Sequence, residues 1–218
     1  AAGGAPQRIR APRKMSAGNP PLQPDPAWLQ AFTTLMSRID TALGPTKPKK
    51  PVVICIAGGA AMHFYTGERY SRDVDAKIFA RVMIDPQELQ VAYQGHDGRA
   101  RLLYFDTQYN DSFALLHHAA YDDARPVSID GIAANRLDVR LLQPVDLAVS
   151  KLSRFSEQDL DDIRALARHG LITAAALRKR AETSLHDYVG NLERIRNSIT
   201  IASRQVDEIT RGKAGNGL

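Results

Sequence analysis

The spacing of apolar and polar residues divides the chain into recognisable elements. In "PAWLQAFTTLMSRIDTALG", Trp28, Leu29, Phe32, Leu35, Met36 and Ile39 recur at helical intervals. This predicts an amphipathic helix that ends near Gly44. "PTKPKKP" then stops the helix and keeps the link solvated. "VVICIA" is continuously apolar and β-branched, the pattern of a strand buried on both faces. Gly58 and Gly59 turn the chain into a short helix, "AAMHFYTG", closed by Gly67, and "DVDAKIF" reads as the next strand. "DPQELQVAYQ" offers an Asp85 cap and Pro86 at a first helical position, so a helix is expected there. "ARLLYFD" predicts a third strand, with further strand pieces around "FALLHH", "PVSI" and "RLDVRLL". From Pro144 the pattern turns helical, through "PVDLAVSKLSRF", "SEQDLDDIRALARHG", "TAAALRKRAETSLHDYVG" and "NLERIRNSITIASRQVDEIT", with Gly170 and Gly190 read as C-terminal caps.

The expected organisation is a disordered Ala-, Gly- and Pro-rich tail over 1–26, a core over 27–143 that includes the first helix, and a helical region over 144–218. The fold class is α+β: a mixed-sheet core with a helical C-terminal extension. At 218 residues, 44% hydrophobic and 24% charged, the composition is that of a globular protein. No apolar run approaches a membrane span of roughly 18 residues, and the N-terminal stretch lacks an apolar export core. Cys55, the only cysteine, falls in the buried-strand pattern and excludes an intramolecular disulfide. A cytoplasmic location is expected.

The net charge of +5 raises the question of a nucleic-acid partner. Arg8, Arg10, Arg13 and Lys14 account for most of it, so the basicity lies mainly in the tail. Met15, followed by "SAGNPP", reads as a natural start, with residues 1–14 a leader.

The chemistry is concentrated in "GGAAMHFYTGERYSRDVDA", Gly58 to Ala76. A strand that ends in two glycines leaves room beside its backbone, and a helix starting there aims free N–H groups at that room, which suits phosphate. Asp73 and Asp75 alternate along a strand, so their carboxylates share one face. Two adjacent carboxylates repel, and a hard cation such as Mg²⁺ relieves the repulsion while bridging phosphates. Either half alone is compatible with a plain tight turn or a solvated strand end. Their combination, with a helical spacer between, is more specific. His117-His118 lacks metal-ligand spacing and reads as structural or surface histidine.

These residues resemble the signature of the DNA polymerase β-like nucleotidyltransferases: Gly-Gly, a helical spacer, then Asp-x-Asp. Gly58, Gly59, Asp73 and Asp75 occupy those positions. The longer run Arg69-x-Ser71-x-Asp73-x-Asp75 is similar to the minimal bacterial nucleotidyltransferases of the AbiEii type. "PVDLAVSKLSRFSEQDLDDIRAL" looks like their later motifs, with Asp146, Lys151, Asp159 and Asp162 in place. Gln158 stands where that group usually has arginine.

The resemblance implies a Mg²⁺-dependent nucleotidyltransferase using an NTP. Asp73 and Asp75 would hold the metal. Gly58, Gly59, Arg69, Ser71, Lys151, Asp159 and Asp162 would line the nucleotide site, and Lys151 would meet the triphosphate. A third metal-holding carboxylate comes from Asp106 or Asp138. The implied acceptors are RNA, notably tRNA, or protein hydroxyls. The implied partners include a cognate toxin or antitoxin, and no membrane. Three alternatives stay open: a solvated Lys151, a catalytically silent module of this fold that binds a partner protein, and an RNA-binding protein relying on its basic tail.

Overall fold

The computed structural model describes residues 19–45, 48–80, 84–112 and 114–215, with the side chains of 213–215 excepted. Helix α1, Pro26–Ala42, begins at an Asp25 cap, whose carboxylate accepts from the Trp28 N–H at 2.9 Å. Its buried stripe is Trp28, Ala31, Phe32, Leu35, Met36 and Ile39, the expected spacing apart from half-buried Leu29. Strand β1, Val52–Ile56, leads into α2, Gly58–Thr66, and Gly67 closes α2 in the left-handed conformation. The strands β2, Asp73–Ile78, β3, Gln90–Gln94, and β4, Ala100–Asp106, follow. Two more, β5, Arg125–Pro126, and β6, Leu137–Leu141, complete a sheet of order β3-β4-β2-β1-β6-β5. The sheet is mixed: β2–β4 and β1–β6 pair in parallel, and the other three pairings are antiparallel.

Helices α3, Pro144–Ser150, α4, Glu157–Arg168, α5, Ala174–Ser184, and α6, Leu192–Gly215, form the C-terminal part. The α+β architecture with a helical extension is therefore as expected. Among the described residues no helix is long and apolar enough to cross a membrane.

The structure corrects four local expectations. "DPQELQVAYQ" is a turn followed by β3, not a helix. Asp85 and Pro86 serve a tight turn, with the Asp85 carboxylate accepting from the Gln87 N–H at 2.9 Å and its carbonyl from the Glu88 N–H. Helix starts and turns share these residue preferences, and five register pairs with β4 override local helix propensity. In "FALLHH", Phe113 lies outside the described residues and 114–118 form no strand, so His117 and His118 sit at a turn with rings 4.1 Å apart. Gly170 takes the left-handed cap conformation but Gly190 does not, because the helix before it has already ended in a tight turn at Leu185–Asp187.

The fourth correction concerns the tail. Residues 1–18 lie outside the described residues, whereas 20–25, also expected to be disordered, are bonded to the core. The Gln23 N–H donates to the Phe64 carbonyl, the Asp25 N–H to His63 Nε2, and Arg125 to the Pro20 carbonyl.

Leu35 is fully buried where α1 meets the core, so Leu35→Ala leaves a cavity. It should cost about 2–5 kcal/mol, read as a lower urea midpoint. Leu102→Ala, on an open sheet face, should leave the midpoint nearly unchanged.

Candidate active site

Strand alternation puts Asp73 and Asp75 on one face of β2, while Val74 and Ala76 turn to the core. The parallel pairing with β4 sets Asp106 directly beside Asp75. Asp138 is elsewhere: it lies on β6, beyond β1, opposite Val53, and accepts two hydrogen bonds from Arg140 at 2.6 and 2.9 Å. Of the two candidates for a third acid, Asp106 is the one brought to the pair.

The glycines explain how Asp75 fits. Gly58 has φ +52, and a Cβ there would fall 1.8 Å from Asp75 Oδ2. A Cβ on Gly59 would fall 2.5 Å from Ser71 Oγ and 3.6 Å from the Arg69 guanidinium carbon. The room left by the missing side chains is thus filled by the carboxylate and hydroxyl of the following motif. The Gly59 N–H hydrogen-bonds the Asp75 carboxylate. Ser71 donates to Asp73 Oδ1 at 2.8 Å, and Trp28 Nε1 braces the Ser71 carbonyl at 3.2 Å.

Burial, together with the like charges of Asp73 and Asp106, pushes the Asp75 carboxyl up to about 6, against the pull of Lys151 and the Gly59 N–H. That crowding is the observation against which a metal can be tested. Among the described residues no three carboxylate, imidazole or thiol groups already form a metal cage. The donor set nevertheless fits a hard cation: carboxylate oxygens on adjacent strands, held at a cost in repulsion that a divalent charge would remove. Asp73, Asp75 and Asp106 are the residues that would hold it.

The second motif supplies the positive charge. Lys151 ends α3 and is only 7% exposed, which excludes the solvated alternative. Its Nζ donates to Asp162 Oδ2 at 2.5 Å and stands 3.8 Å from Asp159. Arg69 donates to the same Asp162 oxygen at 2.6 Å. Asp159 takes a two-pronged contact from Arg154, at 2.7 and 2.8 Å, and closes the capping box with Ser156 at the start of α4. Asp159 and Asp162, expected among the nucleotide-lining residues, are both engaged by cations, and through these contacts they hold Lys151, Arg69 and Arg154 in place. Asp146 is buried under Arg180 and ties α5 to α3. Phe155, at the α3–α4 turn, holds a strained φ of +52. Arg154 was missed in the sequence, where an arginine five residues before an aspartate has no distinctive signal.

A sheet bearing this acid trio, a glycine turn packed on it and a buried lysine near it form an arrangement suited to a metal-bound phosphate ligand. A family model described as "Nucleotidyltransferase of unknown function (DUF6036)" matches residues 30–210, and the chain belongs to that family. Comparison with curated proteins gave no match.

Two outcomes are expected. Gly58→Ala should destabilise the fold by roughly 2 kcal/mol or more, from backbone strain and collision with Asp75, seen as a lower melting temperature. For Asp159, burial opposes ionisation, but Arg154, Ser156 and Lys151 hold the carboxyl down at about 2. A folded-state value below the unfolded one stabilises above the unfolded value of ~3.9, and the gain disappears as pH falls toward the folded value. The urea-midpoint gap between wild type and Asp159→Asn should therefore be widest near neutrality and close as pH falls from about 5 toward about 2.

Proposed function

We propose that the chain is a metal-dependent nucleotidyltransferase that moves a nucleoside monophosphate from an NTP to a hydroxyl of RNA, such as tRNA, or of a protein. The observation that supports it best is the crowding of Asp73, Asp75 and Asp106 on one sheet face, near buried Lys151 and half-buried Arg69. Bound Mg²⁺ would activate the attacking oxygen and offset charge on the phosphates.

The chain's own residues supply the rest. The acceptor oxygen forms a bond to the α-phosphorus as the bond from that phosphorus to the bridging oxygen breaks. Pyrophosphate leaves with the electron pair, and Asp106 takes the hydroxyl proton. Lys151 and Arg69, held by Asp162, face the leaving pyrophosphate. The Gly59 N–H, which bonds the Asp75 carboxylate, lies at the start of α2, where helix N–H groups would favour a phosphate oxygen. The likeness to AbiEii-type enzymes rests on the motifs alone and extends the proposal to a cytoplasmic enzyme acting in a toxin–antitoxin pair.

Incubation with each α-labelled NTP, Mg²⁺ and either total RNA or cell protein should transfer label. Asp73→Asn and Asp75→Asn should each lose at least about a hundredfold, the scale set by removing a preorganised charge-stabilising group. Lys151→Ala should lose a similar factor. It should also melt lower, because removing one member of a buried ion pair leaves Asp162 less compensated. No transfer from any NTP to either acceptor would favour the silent, partner-binding module.

A further inference from the structure

His63 lies on α2 with no exposed surface and takes no part in the metal or phosphate chemistry. Its Nε2 accepts the backbone N–H of Asp25 at 3.0 Å. A ring nitrogen that accepts carries no hydrogen, so the imidazole is neutral and its one hydrogen is on Nδ1. Nδ1 is buried beside the Arg69 carbonyl and has no hydrogen-bond partner of ordinary geometry among the described residues.

Three segments meet at this ring. The stretch before α1 is tied to α2 by the Asp25 bond and by the Gln23 N–H, which donates to the Phe64 carbonyl at 2.8 Å. The Asp25 carboxylate caps α1 and accepts from the Tyr70 hydroxyl at 3.1 Å. The rings of Trp28 and Tyr70 pack on the imidazole, with centroids 4.6 and 5.2 Å away. Trp28 braces the carbonyl of Ser71, whose hydroxyl holds Asp73 at 2.8 Å. Direct contacts thus run from His63 to the acids.

A proton cannot be taken up in place. It must go on Nε2, where it would meet the Asp25 N–H, donor against donor, and the new charge would be buried. The groups facing the ring are divided. Burial weighs most against the proton, and the Arg101 guanidinium, 3.8 Å over the Tyr70 ring, adds to it. The Arg69 carbonyl and the Asp25 carboxylate favour it. Exposed His96, bonded to the Tyr70 hydroxyl and 3.3 Å from Asp25, completes the surroundings. The balance holds His63 below the usual histidine range.

We propose that His63 is an acid-sensitive latch: neutral, it holds residues 20–25 and the start of α1 on α2, and protonated, it releases them and loosens the loop of Arg69 to Ser71. The latch does not depend on the nucleotidyl-transfer reading. A histidine whose folded value lies below the unfolded ~6.5 stabilises the closed form above that pH, and the gain is lost as pH falls through the folded value.

Trp28 is the only tryptophan, so intrinsic fluorescence reads the latch. The full chain is titrated from about pH 8 to about pH 4, across the histidine range, while tryptophan emission and far-UV circular dichroism are followed. Emission should change in one step with a midpoint below ~6.5, and dichroism should stay constant through it. The step should be absent in His63→Gln, whose side-chain carbonyl accepts from the Asp25 N–H without titrating, and should remain in His96→Asn. A wild type with no step, a step that persists in His63→Gln, or one that vanishes in His96→Asn overturns the latch. So does a loss of dichroism coincident with the step, which marks global unfolding. Where His63→Gln does not fold, NMR of wild type labelled with ¹⁵N at histidine decides. An Nδ1–H tautomer at neutral pH that titrates at the fluorescence midpoint supports the proposal, and an Nε2–H tautomer or a different midpoint overturns it.

Discussion

Three carboxylates share one face of the sheet, and Asp75 is wedged against a backbone that has no side chains to spare. Much of the site follows from that contact. Asp75 reaches its position only because residue 58 has no Cβ, and it stays partly ionised because a helix N–H and a distant ammonium compensate it. A side chain at Gly58 would push the carboxylate out, and loss of the cation would leave it more strongly opposed by its neighbours. The glycine pair and the Asp-x-Asp pair, separated by thirteen residues, are two halves of one packing solution.

The helical extension completes this balance of charge. Lys151 is buried between Asp162 and Asp159, and Arg69 reaches across from the loop before β2 to share Asp162. Each cation is held by an acid outside the sheet, which leaves the sheet acids uncancelled at close range. The result is a polarised cleft, negative on the strands and positive on the helices. Under the proposed function, such a cleft would hold a metal-bound polyphosphate by its two ends. The brace of Trp28 on the Ser71 carbonyl ties the position of this loop to the hydrophobic core through α1.

Elements with strong periodicity were legible in the sequence. The α1 stripe, the buried run of β1 and the alternation of β2 predicted the structure because each pattern expresses a single environment. The segment after Asp85 misled because its turn residues are also helix-start residues, and only pairing with β4 decides between them. The acids of β2 were readable from alternation, whereas the choice of Asp106 over Asp138 needed the strand order. Lys151 sits at the edge of its apolar stripe, so the sequence left solvent and cleft equally open; Asp162, eleven residues on, decides it. The partners of Asp159 and Asp162 were not legible, because a carboxylate near a helix start looks the same whether it faces a nucleotide, an arginine or water.

Like-charge crowding relieved by a hard cation is the central claim, and thermal melting of wild type and Asp75→Asn, each in EDTA and in Mg²⁺, tests it most directly. In EDTA the variant should melt at or above wild type, because neutralising Asp75 removes its repulsion from Asp73 and Asp106. Mg²⁺ should raise the wild-type midpoint and leave that of Asp75→Asn unmoved. A wild-type midpoint indifferent to Mg²⁺, with Asp75→Asn melting well below it in EDTA, would contradict the account.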